Sequence, residues 1–86
     1  KVIYLVNYGY IPKTKAPDGE EIDAYILGIN TPIKEFTGKC IAVIHRLNEE
    51  DDKLVVVPEN LDLTNDQIIE LINFQEKYFK IKIIRE

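Results

Sequence analysis

The stretch CIAVIHRLNEEDDKLVVVP, from Cys40 to Pro58, constrains the fold of this chain more than any other. Its first part, Cys40 to Leu47, is a nearly continuous apolar run and predicts a strand buried on both faces. Its last part, Lys53 to Pro58, is rich in valine and predicts a second strand. Only the polar Asn48–Asp52 lies between them. A connection that short leaves an antiparallel hairpin as the cheapest topology. The chain must therefore build a sheet around this hairpin.

The flanking segments extend the sheet. VIYLVNYGYI, from Val2 to Ile11, has the β-branched and aromatic content of a strand, with Gly9 expected at a bend or bulge. PKTKAPDG, from Pro12 to Gly19, contains a Pro-Asp-Gly turn and reads as loop. IDAYILGI, from Ile22 to Ile29, is the next strand. LTNDQIIELINFQEKYF, from Leu63 to Phe79, is the one convincing helix. Thr64 with Gln67 forms a capping-box signature, and Asp66 lies in the first turn, where it favours the helix dipole. Ile68, Leu71, Ile72, Gln75 and Phe79 follow helical spacing and define its inner face. KIKII, from Lys80 to Ile84, alternates and predicts a short final strand. The expected fold is mainly β (α+β): a small OB-like antiparallel β-barrel with one C-terminal helix.

With 86 residues, 45% hydrophobic and 30% charged, the chain fits one small domain. Its net charge of −4 argues against a general nucleic-acid binder, which normally carries a basic excess. No run of apolar residues is long enough to span a membrane, and no secretory-signal pattern opens the chain. The lone Cys40 cannot form an intrachain disulfide, so a reducing, cytoplasmic setting is expected.

Eight of the fifteen acidic residues fall in two clusters at predicted strand ends. One is Asp18, Glu20, Glu21 and Asp23. The other is Glu49, Glu50, Asp51 and Asp52. Oxygen-rich clusters suit hard divalent cations. A solvated acidic turn is the more ordinary reading of the same residues, and spacing alone favours it. A meander would bring the start of the second strand near the end of the third. The spacing does not fit an EF-hand. Lys53, just after the second cluster, reads as a strand-end charge or as a holder of a phosphate oxygen. Tyr4, Tyr8 and Tyr10 share one face by two-residue spacing. Each alone reads as a core tyrosine, yet a hydroxyl at a polar barrel mouth can donate to an anion. The lone His45 reads as structural, and Cys40 as a small buried hydrophobe.

Taken together, VNYGYIP, DGEEID and DDKLVVVP, with YF late in the helix, resemble the soluble family I inorganic pyrophosphatases. The resemblance implies an OB-like barrel and magnesium-dependent hydrolysis of pyrophosphate to two phosphates, with manganese as the other candidate metal. It implies metal ligation by Asp18, Asp23 and Asp51. It assigns Tyr8, Lys53 and Tyr78 to substrate phosphate and Glu20 to activation of the attacking water. Glu20 stands where the family has an aspartate. Asn48 stands where another metal-binding aspartate is expected, and Phe79 where a phosphate-contacting lysine is expected. The resemblance further implies a single pyrophosphatase-like domain over 1–86 without the family's N-terminal region, and a homo-oligomer. A non-catalytic relative that binds metal and phosphate is the alternative. An OB-like binder of single-stranded nucleic acid is a weaker third reading, opposed by the acidic clusters.

Overall fold

The computed structural model describes residues 6–16, 19–47 and 52–85. In chain order the elements are β1 (Asn7–Ile11), β2 (Ile22–Ile26), β3 (Lys39–Arg46), β4 (Asp52–Val57), α1 (Asn65–Glu76) and β5 (Ile81–Ile84). The five strands form one sheet in the order β1-β2-β4-β3-β5. The mainly β class and the one helix among the described residues match expectation. Two features differ. The β2–β4 pair is parallel, so the sheet is mixed. The sheet also has β1 and β5 as its outer strands, so closure into a barrel is not seen among the described residues.

The β3–β4 hairpin forms as its sequence requires, with Lys39 opposite Val57 and His45 opposite Asp52. Its register shifts between Cys40 and Ala42, so the bulge lies in β3. Gly9, the expected bulge, instead pairs regularly with Ala24. Beyond the shift, Ala42, Ile44 and Arg46 point to the buried face, while Ile41, Val43 and His45 are only half-buried. The expected burial of β3 on both faces is therefore realised on one, because a single helix covers a single face.

Tyr25, Leu27, Ala42, Ile44, Val55 and Val57 form that face, and Ile68 and Ile72 cover it from α1. Fully burying a side chain of this kind contributes about 1.5–3 kcal/mol. Thr64 caps α1 as predicted: its hydroxyl accepts the Gln67 N–H at 3.2 Å, and Gln67 Oε1 accepts the Thr64 N–H at 2.9 Å. The helix stops at Glu76, three residues short of Phe79. Its buried stripe runs Ile68, Ile72, Glu76, where the spacing placed Gln75 and Phe79.

β1 and β2 pair antiparallel from Asn7–Ile26 to Ile11–Ile22. The loop between them is tied at its base by Thr14, which the sequence reading passed over. Its hydroxyl donates to Ile11 O at 2.6 Å and accepts the Ile22 N–H at 3.0 Å. Further out, Ala16 N–H donates to Glu20 O at 2.7 Å and Gly19 N–H to Ala16 O at 2.9 Å. Gly19 has φ +88°, a left-handed conformation suited to glycine. Thr14→Val keeps the shape and removes both bonds. It should cost about 1–2 kcal/mol, read as a Tm lower by roughly 5–15 °C, while Thr14→Ser stays near wild type.

Candidate active site

The parallel pairing decides where the site can lie. Asp23 stands directly beside Lys53, so the first residues of β2 and β4 share one end of the sheet. The meander expected from the sequence would have reached similar proximity by another route. On the far side of β2, Tyr10 is opposite Asp23 and Tyr8 opposite Tyr25.

Three of the residues singled out in the sequence meet here. Tyr8 donates its hydroxyl to Asp23 Oδ2 at 2.8 Å, and Lys53 Nζ lies 3.4 Å from the same oxygen. The ammonium also lies 5.7 Å from the centroid of the Tyr8 ring. Lys53 is only 3% exposed, whereas the Asp23 side chain is 40% exposed. The lysine stem is thus buried in the sheet and its charge is delivered beside a carboxylate open to solvent. Burial raises the Tyr8 phenol above its ordinary value, aided by the Asp23 carboxylate and opposed by Lys53. Tyr8 is therefore a protonated donor at neutral pH.

Tyr78 follows α1 and is strongly exposed, at 76%. It lines an open cleft of about 660 Å³ together with Val6, Tyr8, Arg46, Phe74, Gln75 and Phe79. The structure thus brings Tyr8 and Tyr78 to one cavity and joins Tyr8 to Asp23 and Lys53. Glu20 is exposed in the β1–β2 loop. The expected ligands Asp18 and Asp51, and Asn48 with Glu49 and Glu50, lie outside the described residues. Among the described residues no three His, Cys, Asp or Glu side chains converge as a cation site. The donor chemistry nevertheless suits a hard divalent ion: Asp23, Glu20 and Asp52 supply only oxygen. Asp52 Oδ1 lies 2.6 Å from His45 Nδ1, on the face away from the helix.

At the wall of the cleft is a buried polar triad that sequence reasoning missed. Arg46 Nε and one terminal nitrogen bind the two oxygens of Glu76 at 3.0 and 2.8 Å. Tyr25 donates its hydroxyl to Glu76 Oε2 at 2.5 Å. Arg46 and Glu76 are 8% and 3% exposed. Burial pushes the Glu76 carboxyl up. The hydrogen bonds from Arg46 and Tyr25, with the guanidinium charge, outweigh that and hold it below the usual carboxylate value. Burial, with the Glu76 carboxylate, drives the Tyr25 phenol well above its own. A signal did exist. Arg46 ends the stripe Ala42-Ile44-Arg46 and Glu76 ends the stripe Ile68-Ile72-Glu76, so opposite charges terminate two stripes that face each other.

A phenol and a buried lysine that meet one carboxylate at a sheet end equip a small α+β protein to hold an oxyanion. Comparison with known proteins agrees. A model of the family described as inorganic pyrophosphatase matches residues 1–83. The chain belongs to the inorganic pyrophosphatase family. It is 36% identical over 73 residues to the inorganic pyrophosphatase of Rickettsia felis, covering 79% of this chain and 42% of that protein. It is 34% identical over 87 residues to that of Aquifex pyrophilus, covering 88% of this chain and 49% of that protein. The chain thus spans less than half the length of these curated relatives. Its fold matches the crystal structure of inorganic pyrophosphatase from Ehrlichia chaffeensis with TM-score 0.67 and 22% identity, covering 92% of this chain and 59% of that one. It matches the Helicobacter pylori enzyme's structure with TM-score 0.70 and 21% identity, covering 96% and 64%. No helix among the described residues is long and apolar enough to cross a membrane.

Proposed function

We propose that this chain carries out metal-dependent hydrolysis of inorganic pyrophosphate to two phosphates. The observation that carries the reading is the Tyr8–Asp23–Lys53 contact set, in which a donor, a carboxylate and an ammonium meet at one end of the sheet. Asp18, Asp23 and Asp51 would hold magnesium or manganese. When bound, such ions neutralise phosphate charge and lower the pKa of water.

This chain's own residues then have distinct tasks. Glu20 accepts the proton of the attacking water as its oxygen bonds to phosphorus and the bridging P–O bond breaks. Lys53 offers a point charge to a phosphate oxygen, and Tyr8 and Tyr78 offer phenolic donors. Because Asp23 Oδ2 already takes Tyr8 and Lys53, both donors are held in place before an anion arrives, which limits the ordering needed on binding. Among the described residues β1 and β5 are the outer strands of the sheet, which supports a homo-oligomer, and the lone cysteine supports a cytoplasmic setting.

Phosphate release from pyrophosphate with magnesium or manganese tests the assignment. Wild-type protein should exceed an Asp18→Ala, Asp23→Ala double variant by at least ~100-fold. Equal rates would sink the enzymatic reading. A second reading is a non-catalytic relative that binds metal and phosphate. It is favoured by Glu20, one methylene longer than the family's aspartate, and by the apolar Phe79 lining the cleft. Calorimetry that detects phosphate and metal binding without turnover would select it.

A further inference from the structure

We infer that Arg46 is a positioning residue that sets where the Tyr78 ring stands in the cleft, and through Tyr25 keeps it in register with Tyr8. The inference rests on the proposed role of Tyr78 as a phosphate donor.

Arg46 holds the chain on both sides of Tyr78. Upstream, its fork grips Glu76 in the last turn of α1 through two bonds of 3.0 and 2.8 Å. Downstream, its guanidinium carbon lies 3.8 Å from the centroid of the Phe79 ring. Its backbone position pairs with Ile81 at the start of β5. The next residue, Leu47, donates its N–H to Lys80 O at 2.9 Å. Phe79 N–H donates to Glu76 O at 2.9 Å, closing the intervening turn. Tyr78 sits inside this clamped span while itself 76% exposed. Its placement therefore follows from its neighbours in the chain.

The clamp also reaches the other wall. Tyr25, whose hydroxyl completes Glu76, meets the Tyr8 ring edge-on at a centroid distance of 5.1 Å. The strand-borne Tyr8 and the helix-end Tyr78 are thus referred to one carboxylate. Stability alone does not call for this design. Apolar residues of similar volume replace a buried ion pair with little loss and often a gain. What a planar two-pronged contact adds is direction, and a guanidinium also offers a flat face to an aromatic ring. A lysine supplies the charge without either.

Arg46→Lys is the test, since it keeps the charge beside Glu76. Two measurements decide. In ligand-free protein, the ring resonances of Tyr78, identified by their loss in Tyr78→Phe, should shift in Arg46→Lys. In turnover, Arg46→Lys should raise the KM for pyrophosphate by roughly 5- to 10-fold with a smaller change in kcat, and the effect should vanish in a Tyr78→Phe background. Unmoved Tyr78 resonances overturn the inference, as do fully additive effects of the two substitutions. Wild-type protein that turns over no pyrophosphate would defeat the functional reading instead, and the ring resonances would still decide whether Arg46 places Tyr78.

Discussion

Glu76→Ala is expected to remove about 3–5 kcal/mol of folding stability, because it leaves the Arg46 guanidinium buried without its carboxylate. Folded domains have only about 5–15 kcal/mol in total, so the variant should lose a large share of its stability. The Tyr25 hydroxyl loses its acceptor in the same step. Urea denaturation followed by far-UV circular dichroism measures the loss. A change under 1 kcal/mol would mean that the triad is solvated in solution. The joint replacement Arg46→Met, Glu76→Leu should recover most of the stability, since neither partner is then stranded. The pH dependence follows from the depressed Glu76 value. A carboxyl lower in the folded chain than its unfolded value of 4.5 stabilises fully above that value. This contribution is lost as pH falls through the folded value. The stability gap between wild type and Glu76→Gln should therefore narrow as pH drops below about 4.5. A gap that widened there would reverse the sign.

Lys53→Met carries the second large effect. The substitution keeps the buried stem and deletes the ammonium next to Asp23. Removing one preorganised charge from a transition-state site typically costs 100- to 1000-fold in kcat, and a fall of that size in pyrophosphate hydrolysis is expected here. Met is apolar and flexible enough to fill the lysine channel, so the Tm should change little or rise. Activity that survived within 3-fold would remove Lys53 from the phosphate-binding set.

The parts of this fold that were legible are the parts with local causes. The β3–β4 hairpin follows from two apolar runs and a short polar link. The start of α1 follows from Thr64 and Gln67, which satisfy each other's backbone within one turn. The end of α1 does not, because no glycine or proline stops it. Glu76 is fixed by Arg46, thirty residues earlier in the chain. Likewise the parallel β2–β4 pair was invisible, because no short-range pattern states which strands become neighbours. Of the candidate site, Tyr8, Asp23 and Lys53 stood out by type and position. Thr14 did not, since one threonine in a polar loop looks like any other until its two backbone partners are placed around it. Arg46 was hidden inside a run read as nearly continuously apolar, where strand parity puts it in line with Ala42 and Ile44.

The parallel placement of β2 against β4 has a consequence for how this chain acquires its chemistry. Asp23 and Tyr8 belong to one hairpin and Lys53 to the other. Neither hairpin, made as a separate peptide, holds the full set. The three side chains become neighbours only when the two halves dock along the central seam of the sheet. Any assay of the joined trio is therefore also a clock for that docking. An anion-binding signal that rose during refolding would mark the moment the two halves of the sheet meet.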